Sequence, residues 1–211
     1  MSILRVSESQ SIVPETFDLD ADPYVQFRRW YDEALAAHVP EPFAMNLATA
    51  TRSGMPSARM VLMRGHDERG FMFYSNYESR KGNELEANPF ASLVFYWQPI
   101  QRQIRIEGRV EKATAAESDA YFYSRPAGHR IAAWASDQSR VIASREALVA
   151  RIHDLERQFE RQDVPRPAYW GGYRVIPFAY EFWQGRPNRV HDRLRYDLQA
   201  DGRWASQRLA P

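Results

Sequence analysis

Between Asn188 and Tyr196 a basic residue stands at every second position from Arg189 to Arg195. On an extended strand Arg189, His191, Arg193 and Arg195 would project from one face, and Val190, Leu194 and Tyr196 from the other. Neighbours on one face stand roughly 7 Å apart, inside one Debye length at physiological salt, so the row repels itself unless something anionic or strongly polar covers it. A solvated edge strand made basic against aggregation is the plainer alternative. His191 within the row, and Phe182-Trp183-Gln184 just before it, favour a ligand site.

A second cation pair stands at Ser79-Arg80-Lys81, where a short helix begins. Ser79 can cap that helix, but Arg80 and Lys81 then sit at the positive end of its dipole, where cations are disfavoured. A bound phosphate reverses the sign of that penalty; side chains reaching into water merely escape it. Arg59 and Arg64 bracket an extended segment of roughly 17 Å, too long for both to grip one phosphate. Tyr121 and Arg125 lie four apart on one helical face just before Pro126, where they converge on a ligand or stack on each other. Gln103 and Gln138-Ser139 are neutral donors and acceptors suited to the edge of a heterocycle. Together these residues describe a ligand with more than one anionic group and an aromatic body.

The elements that must position them follow from periodicity. Asp22-Pro23 opens a helix with Phe27, Trp30, Tyr31, Leu35 and Ala36 at helical spacing. Strands are predicted at 44–50, 58–63 and 71–75, with turns at Arg52 to Gly54 and His66 to Gly70. A short helix from Ser79 ends at Asn88-Pro89. Phe90 to Trp97 reads as a strand covered on both faces, and Gln103 to Lys112 alternates strictly. Helices follow at 115–124, 131–136 and 144–160, the last with a Leu148, Ile152, Leu155, Phe159 stripe. After the stiff Pro165-Arg166-Pro167 connector, strands return at 173–176, 179–183, 189–196 and 204–209. Residues 1–21 read as an arm and 22–211 as a single domain. The pattern implies a mainly β, α+β architecture: a largely antiparallel sheet or barrel with peripheral helices.

Composition removes whole classes of function. At 211 residues and 44% hydrophobic, the chain can bury a substantial core. No apolar run approaches the roughly 18 residues of a membrane span, so no membrane partner and a cytoplasmic location are expected. A net charge of +1 argues against a nucleic-acid partner. Lysine occurs only at Lys81 and Lys112, so the other 26 of 28 basic residues are arginine, whose planar fork suits phosphate and carboxylate. Zero cysteines exclude thiolate chemistry. There is no Walker loop, G-x-G-x-x-G or H-E-x-x-H, and the five histidines lack zinc spacing, so no metal is expected.

Several runs, read in order, carry a family resemblance. Pro56 to Leu62, Glu78 to Gly82, Asn88 to Trp97, Ser124-Arg125-Pro126, Trp170 to Tyr173, Phe182 to Gly185, Asn188 to Arg193 and Arg208 to Pro211 resemble pyridoxamine 5′-phosphate oxidase over residues 22–211. The resemblance implies an FMN-binding split β-barrel homodimer, with FMN at the subunit interface. It implies that Arg59, Met60, Val61, Leu62, Arg64, Tyr74, Ser75, Arg80, Lys81, Gln103, Gln138, Ser139, Trp183 and Arg193 hold FMN. Arg64, Tyr121, Arg125 and His129 would take the substrate phosphate, with Arg189 and His191 as catalytic residues facing the substrate ring. The implied reaction moves a hydride from the amine or alcohol carbon of pyridoxamine or pyridoxine 5′-phosphate to the flavin. Oxygen takes the electrons, and pyridoxal 5′-phosphate is formed.

The chain departs from the family where Arg64 replaces a common lysine and His129 a common serine. Arg5 to Ser9 also lack the family's Arg-Arg-x-Tyr segment. An FMN oxidase of phenazine biosynthesis, acting on a reduced phenazine carboxylic acid, is therefore the alternative. A flavin-storage protein fits less well because storage needs no substrate clamp, and a single-strand-binding barrel less well because net charge is near zero.

Overall fold

The structure, a computed structural model, describes residues 17–211; most of the expected arm, including Arg5 to Ser9, lies outside them. Asp22 caps the first helix, accepting the Tyr24 backbone N–H at 2.8 Å, and Pro23 fills a first-turn position that needs no N–H. That helix, α1, runs Pro23–Ala36. It is followed by β1 (Ala44–Ala50), β2 (Pro56–Leu62), β3 (Gly65–Asp67), β4 (Gly70–Asn76), α2 (Arg80–Ala87), β5 (Phe90–Trp97) and β6 (Arg102–Lys112). Next come α3 (Ala115–Ser124), α4 (Ala127–Ala135), α5 (Arg145–Gln158), β7 (Trp170–Gln184), β8 (Asp192–Leu198) and β9 (Trp204–Arg208). The strands form one sheet in the order β2-β1-β5-β6-β7-β4-β3, with β8 on β7 and β9 on β8. The β1–β2, β3–β4, β4–β7, β7–β8 and β8–β9 pairs are antiparallel, as the α+β reading requires.

The described chain gathers into two compact units, each made of separated segments. One takes residues 17–43, 94–106 and 179–211; its core is aromatic, with Trp30 edge-on to Phe182 at 5.2 Å and Phe27 against Phe95 at 5.4 Å. The other takes Ala44–Leu93 and Glu107–Phe178. Met45, Leu47, Phe71, Phe73 and Val175 are fully buried there. A separate cluster of Phe122, Ile131, Phe159, Val164 and Trp170 joins α3, α4 and the end of α5. The α5 stripe is less buried than its spacing implies, since only Phe159 is fully covered while Ile152 and Leu155 pack at the margin.

Four further readings need correction. Residues 65–67 of the expected His66–Gly70 turn pair as β3, with Asp67 opposite Gly70. Asp67 accepts the Arg69 N–H at 2.9 Å, which shrinks the turn to Glu68-Arg69. β5 is not covered on both faces: Leu93, Phe95 and Trp97 are buried, whereas Phe90 and Tyr96 are exposed. The two strands expected around Pro177 are one, β7, because residues 71–76 pair with 170–175 and residues 192–197 with 179–184. Pro177 falls in the gap between those ladders, where its missing N–H removes no bond to either partner. Finally, α4 begins at Ala127 rather than at Ile131.

Gly82 fixes the start of α2 against the preceding chain. A Cβ at that position would lie 2.0 Å from the Tyr77 carbonyl oxygen. Gly82→Ala should therefore destabilise the protein by about 1–3 kcal/mol in denaturant unfolding, although alanine is the better helix former. A stabilised variant would show that the helix is not pinned there.

Candidate active site

A cavity of about 650 Å³ opens in the second unit, a volume typical of cofactor sites. Its walls come from Ser57 to Leu62 on β2 and Arg64 beyond it, from Tyr74 to Asn76 at the end of β4, and from Arg80 and Lys81 at the start of α2. Tyr121 and Arg125 at the end of α3, Ala132, Ala133 and Ser136, then Gln138, Ser139 and Trp170, complete it. Arg59, Arg64, Arg80, Lys81 and Arg125 thus share one cavity, and no Asp or Glu stands among the described residues that line it.

Lys81 is the most constrained of these cations. Ser79 caps α2 by accepting the Gly82 N–H at 3.3 Å, which turns the next residues inward. Arg80 reaches outward, but Lys81 is only 8% exposed, so the solvated-face reading fails for it. Its Nζ donates to Ser75 Oγ at 3.1 Å, Gln138 Oε1 at 3.0 Å and Ser79 Oγ at 3.5 Å, all neutral acceptors. Burial, reinforced by the charge of Arg59, pulls its pKa down to about 8 against the ordinary 10.5.

At another wall three rings stack. Tyr74 and Tyr121 lie 3.9 Å apart, and Trp170 stands 5.7 Å from Tyr74. Arg125 does not stack on Tyr121. Its guanidinium lies 4.7 Å over Trp170, a cation–π contact that partly replaces lost water. Its Nη1 is buried without a hydrogen-bond partner, and burial, then the Arg64 charge against the opposing effect of Tyr121, lowers its pKa. A buried donor without an acceptor is costly, and an acceptor group in this corner would relieve that cost.

The remaining predicted residues are placed elsewhere. His129 is exposed on the first turn of α4 and does not line the cavity. Gln103, Trp183, Arg189, His191 and Arg193 belong to the other unit. There the single-strand row is corrected. Asn188 and Arg189 adopt left-handed backbone, at φ 57° and 61°, so the chain turns before β8 begins at Asp192. The Val190 N–H donates to Pro187 O at 3.3 Å and the Arg186 N–H to His191 Nδ1 at 3.1 Å, closing a loop. Because Nδ1 accepts, the neutral imidazole carries its proton on Nε2. Arg193 and Arg195 do lie on β8, but Glu181 takes Arg193 at 2.9 Å and Asp197 takes Arg195 at 2.8 Å, so carboxylates relieve the expected repulsion.

Ser57, Asn76, Ser136 and Trp170 line the cavity without having been predicted as site residues. Ser57 and Trp170 fall inside the runs that carried the resemblance, the only signal available for them. Glu84, behind the wall, gave no sequence signal beyond its spacing of four from Arg80.

Residues 31–159 match the family model for pyridoxamine 5′-phosphate oxidase, and residues 170–211 match the pyridoxine 5′-phosphate oxidase C-terminal dimerisation region. The chain belongs to the pyridoxamine 5′-phosphate oxidase family. Its relatives in this family include the pyridoxine/pyridoxamine 5′-phosphate oxidase of Bordetella petrii, 56% identical over 211 residues that span all of this chain and 99% of that one. The crystal structure of PhzG from Burkholderia lata 383 in complex with tetrahydrophenazine-1-carboxylic acid is 35% identical, with a TM-score of 0.88 over 96% of this chain and 98% of that one. A pyridoxamine 5′-phosphate oxidase-related, FMN-binding protein of Nostoc punctiforme shares the fold at 16% identity and a TM-score of 0.69, covering 88% and 97%. As a member of the family the chain is a flavin-dependent oxidase with a split-barrel fold. None of its described helices is long and apolar enough to cross a membrane.

The depressed Lys81 pKa sets a pH dependence for anion binding. Below about pH 8 the lysine is protonated with or without an anion; above it, the empty site holds a neutral amine and binding must take up a proton. Affinity for a phosphate monoester should therefore fall by up to about tenfold per pH unit above 8, with proton uptake visible by calorimetry in buffers of different ionisation enthalpy. Lys81→Gln should bind more weakly and lose that slope; an unchanged slope would assign the titration to another group.

Proposed function

We propose that the protein oxidises pyridoxamine 5′-phosphate and pyridoxine 5′-phosphate to pyridoxal 5′-phosphate, with FMN as cofactor and oxygen as electron acceptor, and that it works as a cytoplasmic homodimer. The supporting observation is the cavity itself, with five cations on separate walls, no lining carboxylate and a three-ring stack. Two such cationic regions suit two phosphates, one on the cofactor and one on the substrate. The buried orphan nitrogen of Arg125 and the neutral cage of Lys81 fit groups that bring negative charge. When bound, FMN supplies hydride acceptance and electron transfer to oxygen, chemistry that no side chain here provides.

Arg80, Lys81, Ser75, Gln138 and Ser139 would hold the cofactor phosphate, with Arg59 to Leu62 and Tyr74 beside it. Arg64, Tyr121 and Arg125 would hold the substrate phosphate, with His129 at its edge. Gln103, Trp183 and Arg193 would complete the cofactor site, and Arg189 and His191 would face the substrate ring. Trp183, Arg189, His191 and Arg193 fall within the residues 170–211 that match a dimerisation region, which supports drawing them from the partner protomer across a shared site. The Arg186 N–H on Nδ1 gives His191 a donating role through Nε2, so it orients a polar ring substituent and does not remove a proton there. For the alcohol, the carbon gives up a hydride and its hydroxyl a proton, and oxygen becomes peroxide; for the amine, water also enters and ammonia leaves.

A second reading is supported by the 35% identity to PhzG, whose structure holds a tetrahydrophenazine carboxylic acid. On that reading the chain oxidises a reduced phenazine carboxylic acid, and Arg64 and Arg125 meet a carboxylate. Turnover of pyridoxine 5′-phosphate against a dihydrophenazine carboxylic acid by the flavin-loaded protein separates the two.

Under the first reading, light scattering and flavin absorbance should give a yellow dimer with one FMN per protomer. Arg64→Ala should lower kcat/KM for pyridoxine 5′-phosphate at least about tenfold, the loss of about 1.4 kcal/mol from one charge-assisted contact, and leave unphosphorylated pyridoxine nearly unchanged. Equal losses on both compounds would remove Arg64 from the phosphate site.

A further inference from the structure

Behind the β2 wall of the cavity lies a carboxylate with unusually complete satisfaction. Glu84, on α2 and only 5% exposed, accepts through Oε2 from Thr49 Oγ1 at 2.5 Å, Ser57 Oγ at 2.6 Å and Arg59 Nη2 at 3.3 Å. Through Oε1 it accepts Arg80 Nε at 2.9 Å, one helical turn away. Two of the five cations that line the cavity are thus held from behind by one residue outside the lining.

The donor accounting divides the two arginines by task. Arg59 spends its Nη1 hydrogens on Leu47 O at 3.2 Å and Thr49 Oγ1 at 2.5 Å, and its Nη2 hydrogens on Ser57 Oγ at 2.5 Å and Glu84 at 3.3 Å. All four Nη hydrogens point into the protein. Arg80 spends only Nε on Glu84, which leaves the fork of its two Nη groups directed away from that bond. We propose that Glu84 is a positioning residue for anion binding: it fixes Arg59 as a stationary charge and aims Arg80, beside Lys81, as the donor to a phosphate.

The inference rests on the proposed phosphate-bearing flavin only for the identity of the ligand. Removing the acceptor frees the Arg80 guanidinium, takes one of four Nη bonds from Arg59 and leaves Thr49 and Ser57 without the oxygen they share, so the cradle loses geometry while the ring-binding walls stay as they are. Glutamine keeps one acceptor oxygen but sets an NH2 donor in the other place, so it can serve Arg80 or the donors on Oε2, not both. The effect should therefore follow the presence of the acceptor and concern only ligands with a phosphate.

The test compares affinities of the dimeric full chain for FMN, riboflavin and inorganic phosphate by fluorescence and calorimetry. Glu84→Ala should weaken FMN and inorganic phosphate at least about tenfold, within the range of a lost charge-assisted hydrogen bond, and leave riboflavin within about twofold. Glu84→Gln, with one acceptor oxygen left, should fall between Glu84→Ala and wild type for FMN and leave riboflavin unchanged. In an Arg80→Ala background, Glu84→Ala should add little further loss, because the residue acts through Arg80. Should Glu84→Ala not fold, Ser57→Ala with Thr49→Val, which strip the hydroxyls from Oε2, should show the same loss for FMN and inorganic phosphate with riboflavin spared. Equal losses for FMN and riboflavin, no loss at all, or additive losses with Arg80→Ala would each overturn the proposal. A wild-type protein that binds inorganic phosphate but neither flavin would sink the flavin reading and leave the phosphate series to decide the role of Glu84.

Discussion

Positive charge crowded around one cavity is the constraint to which the neighbouring structure answers. Five cations share the lining, and each must be kept out of bulk water or close to its edge without a carboxylate beside the ligand space. Three different answers appear. Lys81 is surrounded by neutral oxygens, Arg125 lies over an aromatic face, and Arg59 and Arg80 share a carboxylate set behind the wall. Lys81 and Arg125 keep their charge at the cavity and Arg80 its Nη fork, while Arg59 acts there as a fixed charge whose Nη hydrogens turn into the protein.

The two titrations behind this arrangement run in opposite senses. Burial works against the Glu84 carboxylate, but hydrogen bonds from Ser57, Thr49, Arg80 and Arg59 outweigh it and hold the pKa at about 2. Its stabilisation is present above the unfolded value near 4.5 and fades as pH falls toward 2. Lys81 is the reverse: below about pH 8 it is charged folded and unfolded, so the full cost of burying it is felt, and that cost eases as pH rises from 8 toward 10.5. Near neutral pH the empty protein therefore gains from one group and loses to the other. An anion that keeps Lys81 charged would offset the loss, coupling occupancy of the site to stability of the unit that carries it.

Much of this was legible in residue order. The Asp22 and Ser79 caps, the strict alternation of β6 and the cations at the start of α2 all follow from local rules, and thirteen of the predicted site residues do line one cavity. Depth was not legible: Arg80 and Lys81 are adjacent, yet one is exposed and the other buried, because Ser79 and the close approach of Gly82 to Tyr77 set the helix rotation. Non-local partners were equally hidden, as with Glu84 and Thr49, which are 35 residues apart. The basic row failed for a local reason that alternation cannot express. Asn188 and Arg189 take left-handed backbone, and a single such residue already breaks a strand's two-residue period.

That failure separates two kinds of proposed site residue. Four of the five cavity cations sit on β2, α2 and the end of α3, elements held by a ladder, a cap and a packed cluster, as would suit charges that stay fixed while a ligand's phosphate comes to them on the proposed reading. Arg189 and His191 instead sit on a short loop with two non-glycine residues at positive φ, a conformation that costs free energy and persists only when its surroundings impose it. Here the surroundings are the Arg186–Asp192 ion pair at 2.6 Å, which closes the loop's base, and the Arg186 N–H that fixes the imidazole tautomer. On the proposed reading a hydride donor carbon must be held at a set angle to its acceptor, and a loop locked in this way would orient a ring more sharply than a row of side chains on a relaxed strand.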